Sequence, residues 1–142
     1  MLTLLLFMQA ALSPHDVAGV WSPPSGKAHV EVVYTNSGSP RGTIIWYPKA
    51  ASAEEGGTGD RALLGAVLLD DFERADDAWR RGQIFDPRKN KAYRSAIYRL
   101  DRDTLAVQGC LSFICRTQEW RRIPDDAITR IADTPRSDAS DE

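Results

Sequence analysis

Eight short runs of β-branched and aromatic residues, each ended by a cluster of Gly, Pro, Asn, Asp or Ser, constrain this chain more than any other feature. They are Val17–Ser22, Ala28–Thr35, Arg41–Tyr47, Leu63–Leu69, Trp79–Phe85, Tyr93–Leu100, Thr104–Cys110 and Arg116–Ile123. Such runs read as strands, and with no long helical pattern between them consecutive strands pair as antiparallel neighbours. Ala28, Val30, Val32 and Tyr34 alternate with His29, Glu31, Val33 and Thr35, the period of a half-buried strand. Leu63–Leu69 is nearly all apolar and is expected to be the most deeply buried strand. An antiparallel sheet hides both edges only by bringing its first and last strands together. The expected architecture is therefore all-β, a small up-and-down barrel of about eight strands.

Two segments bear on that closure. Gly19-Val20-Trp21 opens the first strand, and Arg116-Thr117-Gln118-Glu119-Trp120-Arg121-Arg122 lies in the last. A Trp at one edge under an Arg from the other locks a seam by roughly 0.5–2 kcal/mol. Arg121 is the rival to Arg122, because the register of the last strand is inferred. Alternation puts Val30, Val32, Tyr34, Ile44, Trp46, Val67, Tyr98, Leu105 and Val107 inside. If Trp120 points inward, Arg116, Gln118 and Arg122 share its face. An inward guanidinium is costly unless paired, so Arg116 beside Gln118 suggests an internal carboxylate or an anionic ligand head. The alternative is that Arg116 lies at the rim in water. The candidate ligand-binding set is Arg116, Gln118, Trp120, Trp46, Tyr34 and Tyr98. A barrel of this size either fills itself or holds one small molecule, so a small apolar or amphipathic ligand stands beside a filled interaction scaffold.

The 142 residues suit one domain. Residues 1–15 begin with Leu2-Thr3-Leu4-Leu5-Leu6-Phe7-Met8, too short to span a bilayer but suited to a signal peptide. Export to the periplasm or beyond is expected, with the barrel over residues 16–124. No Lys or Arg precedes the apolar run, and a buried N-terminal element is the competing reading. Cys110 and Cys115 are the only cysteines, in the last hairpin; they either bond in an oxidising compartment or remain buried thiols. Residues 125–142 carry two basic and six acidic side chains and read as a short helix and an acidic, disordered tail. The basic stretch from Arg88 to Arg102 is interrupted by Asp101, which argues against nucleic acid. With only His15 and His29 present, no nucleophile has an evident base, so an enzyme is not expected. Asp70-Asp71 and Asp76-Asp77 lack the spacing of a calcium loop; no cofactor or metal is expected. The protein partner is unknown.

Seven segments in order carry a resemblance: Gly19-Val20-Trp21, Gly42-Thr43-Ile44-Ile45-Trp46, Leu63-Leu64-Gly65, Gly82-Gln83-Ile84-Phe85-Asp86-Pro87, Lys91-Ala92-Tyr93, Asp103-Thr104-Leu105-Ala106-Val107-Gln108-Gly109 and Arg116–Arg122. Together, over about residues 17–123, the chain resembles the uncharacterised exported bacterial family called domain of unknown function 2147. The resemblance implies a lipocalin-like (calycin) barrel, a periplasmic or secreted location and no established activity. In lipocalins an Arg of the last strand covers a Gly-x-Trp of the first, which Trp21 and Arg122 would match. Ser52–Arg61 replaces a longer connection seen in relatives, and Asn90 stands where a turn Gly is common, a place Asn tolerates.

Overall fold

The computed structural model describes residues 12–48, 50 and 62–131. Most of the expected leader, most of the Pro48–Asp60 connection and the tail from residue 132 lie outside the described residues. The strands are β1 (Gly19–Ser22), β2 (His29–Tyr34), β3 (Pro40–Trp46), β4 (Val67–Asp70), β5 (Glu73–Arg74), β6 (Trp79–Asp86), β7 (Lys91–Asp101), β8 (Thr104–Leu111) and β9 (Ile114–Arg122). Sequential strands are antiparallel neighbours from β1 to β4 and from β6 to β9. β5 continues β4 beyond a kink at Asp71, whose φ is 62°, and both pair with β6. The nine segments thus make eight staves. The ring closes where Trp21 pairs with Arg122 and Ser22 with Arg121. That seam is short, and β9 from Ile114 to Trp120 has no β1 partner.

One end, here called the floor, gathers the segment before β1, the β2–β3 turn and the β5–β6 turn. The other, the rim, gathers the β6–β7 and β8–β9 turns. Between them the interior is packed with Trp21, Val30, Val32, Leu69, Phe72, Trp79, Ile97, Leu105, Val107 and Trp120, all buried. Gly82 shows how tight this is, because a Cβ there would lie 2.2 Å from the Phe72 ring. A second buried cluster joins Ile44, Tyr47, Ala50 and Ile131, with Trp46, Leu63 and Leu64 against it.

Bulges decide several orientations that plain alternation misplaces. Two residues of β3 oppose one of β2 between the pairs His29↔Trp46 and Val30↔Ile44, which moves Trp46 to the outer face. There its ring stacks on His29 with centroids 4.6 Å apart. A similar step between Gly42↔Leu69 and Thr43↔Val67 turns Val67 outward, leaving it 39% exposed while Leu68 packs on the core. Tyr98 pairs with Ala106 on the outer face, since the inner places belong to Ile97 and Arg99. The fourth strand starts at Val67 rather than Leu63, because Gly65 takes a φ of 79° and the Leu63–Ala66 turn bonds to Ile44. Asn90 is left-handed as its turn requires, with φ 50°. After β9 the described chain forms a 3-10 turn, Asp125–Ala127, within the stretch expected to form a short helix.

Candidate functional site

The floor includes His15, a residue that the sequence reading assigns to the leader. His15 is 7% exposed. Its carbonyl accepts hydrogen bonds from the Tyr34 hydroxyl (2.8 Å) and from Trp79 Nε1 (3.0 Å), and its Nε2 donates to the Ala75 carbonyl. The ring sits edge-on to Trp79 at 5.9 Å. Tyr34 Oη also accepts from the Val17 amide (3.1 Å), so one tyrosine fixes the path of the chain entering β1. Trp21 Nε1 donates to the Val17 carbonyl at 3.0 Å. A boundary after His15 cuts through this network, so residues 13–17 belong physically to the barrel.

The cation over Trp21 is Arg99, at 5.4 Å from the ring centroid. Its guanidinium donates to the carbonyls of Asp16 (3.1 Å), Asp101 (3.0 Å) and Arg102, and its amide to Pro14 (2.8 Å). Arg122 is Trp21's neighbour in register but turns its Nε to Asp103 at 3.0 Å. The seam is therefore held by β7 as well as by β9. Alternation could have found Arg99, which comes two residues after inward Ile97.

Beside this floor lies an open depression of about 730 Å³ bounded by His15, Asp16, Tyr34, Ser37, Gly38, Ser39, Phe72, Arg74 and Trp79. Tyr34 is 44% exposed there, whereas Phe72 and Trp79 form a buried bed beneath. Arg74 stacks over Trp79 at 5.6 Å from the centroid, and no carboxylate pairs with it among the described residues. Asp16, at the edge of the depression, accepts from the Ser13 amide at 3.2 Å.

On β9, Trp120 points inward level with Leu105, 2% exposed, and donates to Gln118 Oε1 at 3.2 Å; Gln118, two residues toward the rim, is exposed. Arg116 comes next on the same face, opposite Gly109, but is exposed at the rim. Of the expected ligand set, Trp120, Gln118 and Arg116 thus lie together, Tyr34 lies at the other end, and Trp46 and Tyr98 lie outside the barrel. Cys110 and Cys115 face each other in register and are bonded. Among the described residues no cluster of His, Cys, Asp and Glu could hold a metal ion, and no helix is long and apolar enough to cross a membrane.

Burial lowers the pKa of His29 below its ordinary 6.5, and its Nδ1 has no hydrogen-bond partner among the described residues. Asp77 is lowered by its hydrogen bond from Arg80, and Asp101 by hydrogen bonds from the Asp103 amide and Thr104. None of these groups lines the depression.

No curated protein matches the chain significantly. Among solved structures, a Helicobacter pylori protein, HP1028, described as belonging to the lipocalin family, superposes with a TM-score of 0.57 at 15% identity, covering 79% of this chain and 86% of that one. At that identity the likeness speaks for the fold alone, a lipocalin-like barrel. The family described as uncharacterized protein conserved in bacteria (DUF2147) matches residues 19–122, from the first strand to the last, and the chain belongs to that family.

Proposed function

We propose that the protein is an exported binding module that takes a small amphipathic anion in the floor depression rather than inside the barrel. One observation carries this reading: an aromatic bed of Tyr34, Phe72 and Trp79 with the guanidinium of Arg74, which pairs with no carboxylate among the described residues, above it. The depression's volume falls in the range of small-molecule sites. The apolar body of the ligand lies against Tyr34 and Trp79, and its anionic head meets Arg74. The packed core supports placing the site at the floor, because Phe72 and the three inward tryptophans fill the barrel above it. Export is supported by the Cys110–Cys115 bond, a feature of oxidising compartments, together with the apolar leader. The hydrogen bonds that hold His15 in the floor favour a cleavage point upstream of Ser13.

Titration with anilinonaphthalene sulfonate, read by its fluorescence, tests the site. Loss of one charge-assisted contact weakens binding of this anionic probe to Arg74→Ala by about tenfold. An uncharged naphthalene analogue keeps its affinity. No binding by the parent protein, or equal loss for both probes, would sink the assignment.

A further inference from the structure

The rim carries a feature of a different kind. Leu111, Phe113 and Ile114 at the β8–β9 tip are 66%, 89% and 59% exposed, although each is large and apolar. Contiguous exposure of this kind marks a surface made to be covered. The tip is held stiff: the Cys110–Cys115 bond closes its base, Ser112 takes a φ of 56°, and Arg94 Nη2 donates to the Ser112 carbonyl at 2.9 Å. A rigid tip loses little conformational freedom on burial.

Next to it in the sheet stands the β6–β7 hairpin, whose turn carries exposed Arg88, Lys89 and Lys91. With Arg94 and Arg116, five exposed cations stand on the strands and the hairpin next to the apolar tip. The described carboxylate at that turn, Asp86, accepts from the Arg88 amide at 2.9 Å.

We propose that the rim docks on an anionic lipid surface, with Phe113 and its two apolar neighbours entering the headgroup layer and the cations meeting lipid phosphates. Two observations favour lipid over a protein partner. The apolar surface is a projecting hairpin tip of three residues, which a fluid layer can surround without a matching groove. The charge around it is predominantly positive, five cations against the one carboxylate of Asp86, and so complementary to anionic headgroups; apolar insertion plus a polybasic patch is the pairing that gives stable peripheral binding. The surface lies at the opposite end of the barrel from the depression, so both can be occupied together.

The test is co-sedimentation of the oxidised, full-length protein with vesicles of phosphatidylglycerol and phosphatidylcholine, against vesicles of phosphatidylcholine alone. The expected result is binding to the anionic vesicles, diminished at high salt. Phe113→Asp, at a position too exposed to matter for folding, reduces binding by about tenfold or more, the worth of burying one aromatic side chain. Joint replacement of Arg88, Lys89 and Lys91 by Ala abolishes the preference for anionic vesicles. An unchanged far-ultraviolet spectrum confirms that both variants fold. Absence of sedimentation, or a Phe113→Asp variant that binds like the parent, overturns the proposal. So does indifference to vesicles combined with self-association that Phe113→Asp removes, which would assign the tip to protein contact.

Discussion

Replacing Gly82 by Ala tests whether the barrel is as full as its packing indicates. The new methyl would stand 2.2 Å from Phe72 Cδ1 and 2.5 Å from Cγ. Carbon atoms in good contact are about 3.5–4.0 Å apart, so the ring must retreat by more than about 1 Å. Clashing with Cγ as well as the ring edge rules out relief by a simple ring flip. Phe72 belongs to a cluster of buried large side chains, and forcing an extra methyl into such a core costs about 2–3 kcal/mol. Phe72→Ala removes the ring and costs about 3–5 kcal/mol through lost burial and the cavity left behind. In the double variant the methyl occupies part of that cavity. The summed single effects should then exceed the double by about 1–2 kcal/mol. Urea unfolding followed by tryptophan fluorescence measures all four proteins. Additive costs, or a Gly82→Ala change below about 0.5 kcal/mol, would show that Phe72 has room to move, and the case for a binding site outside the barrel would fall with it.

The two arginines beside Trp21 should separate. Arg99→Ala, which gives up the ring contact and hydrogen bonds to three carbonyls, is expected to cost about 2–3 kcal/mol in thermal unfolding, and Arg122→Ala below about 1 kcal/mol. Equal losses would return the locking role to Arg122. For His29, whose folded pKa lies below the ordinary 6.5, the unfolded chain binds the proton first as pH falls. Its contribution is present above about pH 6.5 and is lost as pH drops through the depressed folded value, and His29→Phe should flatten that slope. An identical slope in the variant would remove His29 as the cause.

Much of the fold was legible because strand spacing and turn chemistry are local. Val30, Val32, Leu105 and Val107 obey simple alternation and line the interior as expected. Trp46 and Val67 do not, because one extra residue in a strand switches the face on which every later side chain emerges, and nothing local in Ile44-Ile45 or Val67-Leu68 announces it. Tyr98 was lost to a competition between adjacent residues, since Ile97 took the inner face.

The candidate site was less legible for a related reason. The depression joins His15, Tyr34 and the Phe72–Trp79 segment, three stretches that stand far apart along the chain and carry no shared motif. His15 reads as leader because signal peptides are recognised by composition, whereas its place in the floor depends on Tyr34 and Trp79 meeting one carbonyl. Periodicity and turn residues by themselves determined an eight-stave antiparallel barrel with Trp21 and the last strand at its seam. Which cation covers Trp21, which aromatics face inward and where a ligand can rest were decided by strand register and long-range hydrogen bonds, which exist only once distant segments have come together.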